Sequence, residues 1–283
     1  MRYLLLSGAM LFLAGCDWED FGSSSAYSTD FHYSYPLKSD GRVSLENFNG
    51  SVEIAGWDQN TVDVSGAKYG ATPEARDAVK IDIAASPDSV AVRTIRPSDR
   101  RNVGARYILR VPRRAQLERV TTSNGSLRLS DLAGPARVKT SNGTLKVFNV
   151  TGNFDGGTSN GSVELNDLKG DCTVRTSNGR IHAQHVQGGL DASTSNGSVD
   201  AAVTDFRSRG VRIATSNGSI TLRLPQPLNA NLLARTSNSS VHSEFDMTQR
   251  VRADKHHLEG TIGSGGPTLD LSTSNGSIHV VRQ

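Results

Sequence analysis

The sequence predicts an all-β protein built as a single-stranded parallel β-helix, or β-solenoid, with coils of about 18 residues. Three observations predict it. The tetrapeptide Thr-Ser-Asn-Gly, once ending in Ser, occurs eight times, with its Asn at Asn124, Asn142, Asn160, Asn178, Asn196, Asn217, Asn238 and Asn275, so the first four steps are each of 18 residues. Three residues beyond each Asn stands an unbroken aliphatic column of Leu127, Leu145, Val163, Ile181, Val199, Ile220, Val241 and Ile278, and a second, mostly apolar column follows two residues later. Ten residues beyond the first four Asn lie Gly134, Gly152, Gly170 and Gly188, which mark a second corner.

The elements follow in chain order. Met1 and Arg2 precede an apolar run from Tyr3 to Leu13, too short to span a bilayer and of the length of a secretory signal. Leu13-Ala14-Gly15-Cys16 matches the bacterial lipobox, which makes residues 1–15 a lipoprotein signal peptide and Cys16 the lipidated residue. A second acyl chain on the new amino terminus would give the two signals that stable anchoring needs. Asp17 resembles the mark that retains enteric lipoproteins in the inner membrane, the outer membrane being the other destination. The expected location is therefore the periplasmic side of a bacterial membrane. Residues 16–30 are polar, Ser-rich and aperiodic, as a tether is.

The formal charge of +3, or +2 once Arg2 leaves with the signal, points to no nucleic acid. Apart from Cys16 the sole cysteine is Cys172, so no internal disulfide is available and stability must come from packing. About 250 residues remain for that core.

Residues 31–119 read as irregular β structure that begins and caps the stack, since a solenoid end must not expose a bare edge. Within it, Val52, Ile54 and Trp57 after Asn49 repeat the strand signal, and Ala71 to Ala78 suits a short helix. Residues 120–283 carry the repeats. In each, the Thr faces inward, the Ser outward, and Asn-Gly supplies positive φ for a sharp corner. Coils stacked in sequence order about 4.8 Å apart would place each Thr and Asn beside its own copy, forming hydrogen-bonded ladders. Eight such coils give a rod about 38 Å long. An antiparallel meander turning on Asn-Gly is the rival. It explains neither the fixed Thr and Ser nor why every insertion falls in the same arc.

Several motifs bear on chemistry. Four after each Asn stand Arg128, Lys146, Glu164, His182, Asp200, Thr221, His242 and His279, mixed in sign as on a solvated face. Asp155 and Asp191 fall two coils apart, about 9.6 Å, near the upper limit for an inverting carboxylate pair, but nothing beside them suits an acid of raised pKa. Asp131, Asn149, Asp167 and His185 line the Gly corner, where Asx residues commonly satisfy turn backbone. His256-His257 lacks an indicated third ligand for a metal. Cys172 shares a column with Phe154 and Leu190 and reads as a core thiol. No catalytic residue, metal site or cofactor is assigned. Arg93, Arg96, Arg100, Arg101, Arg106, Arg110, Arg113, Arg114 and Arg119 form a basic segment; Arg100, Arg101, Arg113 and Arg114 are its candidate contacts to anionic headgroups or a partner.

The stretches "NGSVEIAGWD", "YILRVPRRAQLERV", the TSNG coils and the ending "GTIGSGGPTLDLSTSNGSIHVV" together resemble the bacterial putative-adhesin, β-strand-repeat family, a domain of unknown function, over about residues 40 to 283. The resemblance implies a β-solenoid at the cell envelope. The expected function is a non-enzymatic, lipid-anchored envelope solenoid serving as a binding or scaffold surface for an envelope protein or glycan. A surface adhesin for glycan or matrix is the alternative, and a polysaccharide-active enzyme a third reading.

Overall fold

The computed structural model describes residues 27–98, 102–206 and 209–283. Alternation of apolar and polar residues makes almost every element a strand. The first are β1 (Tyr27–Pro36), β2 (Arg42–Glu46), β3 (Val52–Trp57) and β4 (Thr61–Gly70). A five-residue helix follows, α1 (Pro73–Asp77), capped by Thr72, whose hydroxyl accepts from the Ala75 amide. Next come β5 (Lys80–Ser86), β6 (Ser89–Ile95) and β7 (Gly104–Pro112).

The repeats then alternate between two sheets: β8 (Gln116–Asn124), β9 (Leu127–Leu132), β10 (Ala136–Asn142), β11 (Leu145–Thr151), β12 (Phe154–Gly157), β13 (Val163–Lys169), β14 (Cys172–Arg175), β15 (Ile181–Gln187), β16 (Leu190–Thr194), β17 (Val199–Asp205), β18 (Val211–Thr215), β19 (Ile220–Leu224), β20 (Ala230–Thr236) and β21 (Val241–Ser243). The chain closes with β22 (Met247–Ala253), β23 (His257–Ile262), β24 (Thr268–Thr273) and β25 (Ile278–Arg282).

Between β8 and β21 the odd-numbered strands lie in sheet A and the even-numbered ones in sheet B; the full orders are β1-β4-β7-β3-β9-β11-β13-β15-β17-β19-β25-β21 for sheet A and β22-β23-β20-β24-β18-β16-β14-β12-β10-β8-β2-β6-β5 for sheet B. Pairing along the repeats is parallel and in register, Leu145 to Val163 to Ile181 to Val199 for example. This is a β-solenoid, not a meander. Its inward columns from both sheets form one continuous core from Leu37 to Val280, each fully buried aliphatic side chain being worth about 1.5–3 kcal/mol.

Two features of the stack differ from simple sequential stacking. The C-terminal pair β24–β25 lies between β18–β19 and β20–β21, so the coils do not follow chain order. At the other end β2–β3 likewise lies inside β6–β7. The pairs β2–β3 and β24–β25 are thus clamped on both sides, and strands from other parts of the chain, β1 among them, supply the outermost layers. Residues 31–119 therefore contribute two in-register coils as well as the antiparallel strands β4, β5 and most of β1 that cover the end, and β1 starts at Tyr27, so residues 27–30 of the expected tether are paired strand instead. With twelve strands in sheet A, the stack extends about 50 Å, longer than eight coils would reach.

Candidate functional site: the corners and outer faces

The tetrapeptide corner is a hydrogen-bonded spine. Each Asn Nδ2 donates to the Asn Oδ1 of the neighbouring coil: Asn142 to Asn124 at 2.8 Å, Asn160 to Asn142 at 2.9 Å, and Asn178, Asn196 and Asn217 to their predecessors at 2.8 Å. Asn275 then donates to Asn217 at 2.7 Å, and Asn238 to Asn275 at 2.6 Å. Thr does otherwise. Instead of meeting its own copy it donates to the glycine carbonyl of the adjacent coil, as Thr140 does to Gly125 and Thr158 to Gly143, both at 2.9 Å. A buried hydroxyl thereby satisfies a corner carbonyl that the ladder leaves open.

Glycine in the tetrapeptide is required for closeness, not for positive φ. None of the tetrapeptide glycines has positive φ, but a Cβ on Gly161 would lie 2.1 Å from the Gly143 carbonyl oxygen, and the other copies are as tight. Ser239, the one exception, sits on the coil of the edge strand β21, with no further coil stacked beyond it. Positive φ occurs at the second corner instead. Asp131, Asn149, Asp167 and His185 have φ of 58°, 50°, 56° and 53°, followed three residues on by Gly152, Gly170 and Gly188 in the later three coils, also positive. These residues pair along the stack, Asn149 Nδ2 donating to Asp131 Oδ1 at 2.7 Å and His185 Nδ1 lying 3.3 Å from Asp167.

Ion pairs occupy much of the outward columns. On sheet B, Arg137 meets Asp155 at 3.3 Å and Arg175 meets Asp191 at 3.5 Å, with Thr173 in register between the two carboxylates. Neither Asp is set in an apolar recess opposite the other. On sheet A, Lys146 meets Glu164 at 3.1 Å, and Asp200 takes both His182 and Arg223. The His257 imidazole lies 3.2 Å from Glu259, while the His256 backbone amide donates to Asp254. Cys172 is buried, and burial pushes its thiol far above the ordinary range.

Of the basic segment, Arg100 and Arg101 lie outside the described residues, as do Cys16 and Asp17. Arg113 is engaged. Its Nε donates to Asp58 at 2.7 Å, and that hydrogen bond, with the attraction of the guanidinium, holds the Asp58 carboxyl below the usual carboxylate range. Arg114 is exposed. Arg93 and Arg119 both reach Glu46. Three others lie over rings: Arg96 on Phe48, Arg106 on Tyr69 and Arg110 on Trp57, at 5.7, 5.5 and 5.8 Å, a geometry that holds the cation without neutralising it.

The outer face of sheet A at this end also carries a depression of about 730 Å³. Its floor is made of small outward residues, Ser51, Ser65, Ala67 and Ser126, with Ile108 left 38% exposed. The Arg106–Tyr69 pair and Arg128 stand at its rim, Arg128 lying 4.8 Å from the Phe148 ring. Sequence reasoning missed this feature; its signal was an Ile and several small residues at outward parity, where charged residues prevail elsewhere.

Among the described residues no helix is long and apolar enough to cross a membrane, and no group of three His, Cys, Asp or Glu side chains is placed to hold a metal ion. The family model of the Toastrack DUF4097 domain matches residues 37–281, nearly the whole described solenoid. The chain belongs to the Toastrack DUF4097 family. Among curated proteins none matches. Solved structures similar to this Toastrack chain include a "putative adhesin" from Bacteroides fragilis NCTC 9343, 12% identical, with 90% of this chain and 97% of that one covered and a TM-score of 0.47. A "putative cell adhesion protein" from Clostridium sporogenes ATCC 15579 is 11% identical, with coverages of 90% and 100% and a TM-score of 0.29. A "putative lipid binding protein" from Parabacteroides distasonis ATCC 8503 is 11% identical, with coverages of 90% and 96% and a TM-score of 0.37.

Proposed function

We propose that this Toastrack protein is a lipid-anchored, non-enzymatic component of the bacterial envelope whose outer faces bind or scaffold another envelope component. The observation that carries the reading is the depression around Ile108 on sheet A, where small and apolar side chains stand at outward positions beside the Arg128–Glu53 ion pair. A floor of small residues with a rim of both charge signs, Arg106 and Arg128 beside Asp30 and Glu53, offers shape, apolar contact and charge together, which is what recognition surfaces combine. Engagement of Asp155 and Asp191 by arginines supports a binding rather than a hydrolytic role.

The anchor fits the same end of the molecule. Tyr27 begins β1, eleven residues after Cys16, a span of at most about 40 Å even when fully extended. The ring-stacked Arg96, Arg106 and Arg110, together with Arg114, would then face anionic headgroups or a membrane-proximal partner, each cation contributing about 1 kcal/mol near such a surface.

Two measurements in native cells test this. The full chain should take up labelled palmitate and fractionate with membranes, and Cys16→Ser should release it; a soluble chain with unmodified Cys16 removes the anchor. A photo-cross-linking residue at position 108 should capture a reproducible envelope protein or glycan that the same residue at position 221 does not. Equal capture at both positions removes the binding face.

A further inference from the structure

At the C-terminal end of sheet A two successive rungs of the outward column are imidazoles. His242 of β21 pairs in register with His279 of β25 on the solvent side. Their ring centroids are 6.3 Å apart and the planes are inclined by 56°. Both rings project from adjacent parallel strands on the same face of the sheet.

Ser277 gives one ring nitrogen of His279 a hydrogen-bond partner. Ser277 Oγ donates to Ser219 Oγ at 3.3 Å, and His279 Nε2 lies 3.0 Å from Ser277 Oγ. A hydroxyl has a single proton. With that proton directed to Ser219, Ser277 accepts from the Nε2–H tautomer of His279, the form whose lone pair is on Nδ1. A histidine ligand held by a hydrogen bond through its other nitrogen is the usual arrangement in metal sites. His242 makes no hydrogen bond or ion pair among the described residues, which leaves its lone pair available. The next rung beyond His279 is the uncharged Thr221, and the carboxylate after it, Asp200, is occupied by Arg223 and His182.

We infer that His242 and His279 form a two-imidazole chelate for a borderline divalent transition ion, Cu(II), Ni(II) or Zn(II), whose remaining positions are open to water or to a partner's side chain. Imidazole nitrogen selects these ions over Ca(II) and Mg(II), which take oxygen ligands. Two nitrogens at about 2.0–2.1 Å from one ion sit about 3 Å apart, within reach of rings on strands about 4.8 Å apart after modest side-chain rotation at an exposed edge. The site is independent of the depression around Ile108, which lies at the other end of the same sheet.

Titration of the untagged full chain in detergent, with Cu(II) and Ni(II) followed by calorimetry and Cu(II) also by electron paramagnetic resonance, tests the assignment. One ion per chain should bind, with the hyperfine signature of two equatorial nitrogens, and Ca(II) should not compete. His242→Ala and His279→Ala should each weaken binding at least tenfold and remove one nitrogen. His182→Ala, which removes a carboxylate-paired imidazole from the same column, should change neither. All three positions lie at the surface of the sheet, so the variants retain the core. No binding to the full chain, unchanged binding in both single variants, or an equal loss in His182→Ala would overturn the proposal.

Discussion

Asn275 donates to Asn217 at 2.7 Å and accepts from Asn238 at 2.6 Å. The last Asn of the chain therefore holds the seventh rung of the ladder, and the seventh Asn holds the eighth. A terminal segment is usually the least costly part of a fold to remove, but here β24 and β25 separate β18–β19 from β20–β21. Deleting residues 268–283 takes out the buried Leu269, Leu271, Ile278 and Val280, about 6–12 kcal/mol of apolar burial, and leaves β20 through β23 without a neighbour. The expected outcome is a protease-sensitive segment from about position 225 onward, with β8 to β17 still protected. Limited proteolysis with mass mapping checks it; trimming confined to the last few residues would contradict the clamped arrangement.

The spine itself can be probed at one rung. Asn178 donates to Asn160 and accepts from Asn196, and because the ladder is exposed and its partners can turn to water, Asn178→Ala should cost about 0.5–1.5 kcal/mol. Asn178→Asp should cost more at neutral pH, because the carboxylate can still accept from Asn196 but presents lone pairs to Asn160 Oδ1. Gly161→Ala should be worse than either, since its Cβ would meet the Gly143 carbonyl oxygen at 2.1 Å and the carbonyl carbon at 2.6 Å, and both atoms belong to backbone locked into the coil. Urea denaturation ranks the three. An order in which Gly161→Ala is the mildest would mean that the coils can spread.

How much of this was readable beforehand differs by feature. The inward columns were legible because a period-two pattern repeated every 18 residues admits one placement, and Leu127, Leu145 and Val163 stack as their spacing required. The threading was not legible, since Asn238 and Asn275 sit in near-identical corners and nothing local states which lies outermost. Nor was the role of Thr or Gly. Thr and its own copy would have made a chemically reasonable ladder, and the choice of the Gly carbonyl depends on corner geometry that letters do not carry. For the proposed binding surface, composition pointed to the arginines, whereas Ile108 and its small neighbours at outward positions stand out only once the sheet shows which strands are adjacent.

Cys172 offers a check on the core. Burial raises its thiol far above the ordinary range, and only the thiolate attacks disulfide reagents. A Cys16→Ser chain should therefore show no reactive thiol when native and one when denatured. Rapid native labelling would mean that β14 opens readily.

Tyr107 gives the fold a pH limit on the alkaline side. Its hydroxyl crosses the core from sheet A to Thr94 of sheet B at 2.6 Å, and burial pushes its pKa up to about 12 from an ordinary 10, the Thr94 bond opposing in part. Because the neutral form is favoured in the fold, this contribution to stability is complete below pH 10 and is lost as pH rises from 10 towards 12. A shift of that size corresponds to about 2–3 kcal/mol. Tyr107→Phe should lower stability at neutral pH by about 1–2 kcal/mol, by stranding Thr94, and should flatten the decline between pH 10 and 12. Equal slopes for the two chains would place the alkaline limit elsewhere.

Phe154 and Gly156 illustrate how the repeat absorbs a departure from its own consensus. Gly156 stands in the inward column otherwise held by Val138, Val174 and Ala192, and a Cβ there would lie 2.5 Å from Phe154 Cε1. The ring of Phe154, in a column of Ala136, Cys172 and Leu190, fills the volume that the missing side chain vacates. Gly156→Val alone should then overpack the coil and cost about 1–3 kcal/mol, and Phe154→Leu alone should leave a void of comparable effect. Combined, the two substitutions restore the pattern of the neighbouring coils, so the double variant should be more stable than either single one, with a coupling of about 0.5–3 kcal/mol. A double-mutant cycle by thermal denaturation measures that coupling directly. Additive losses would show that the ring and the vacant position are not exchanging volume.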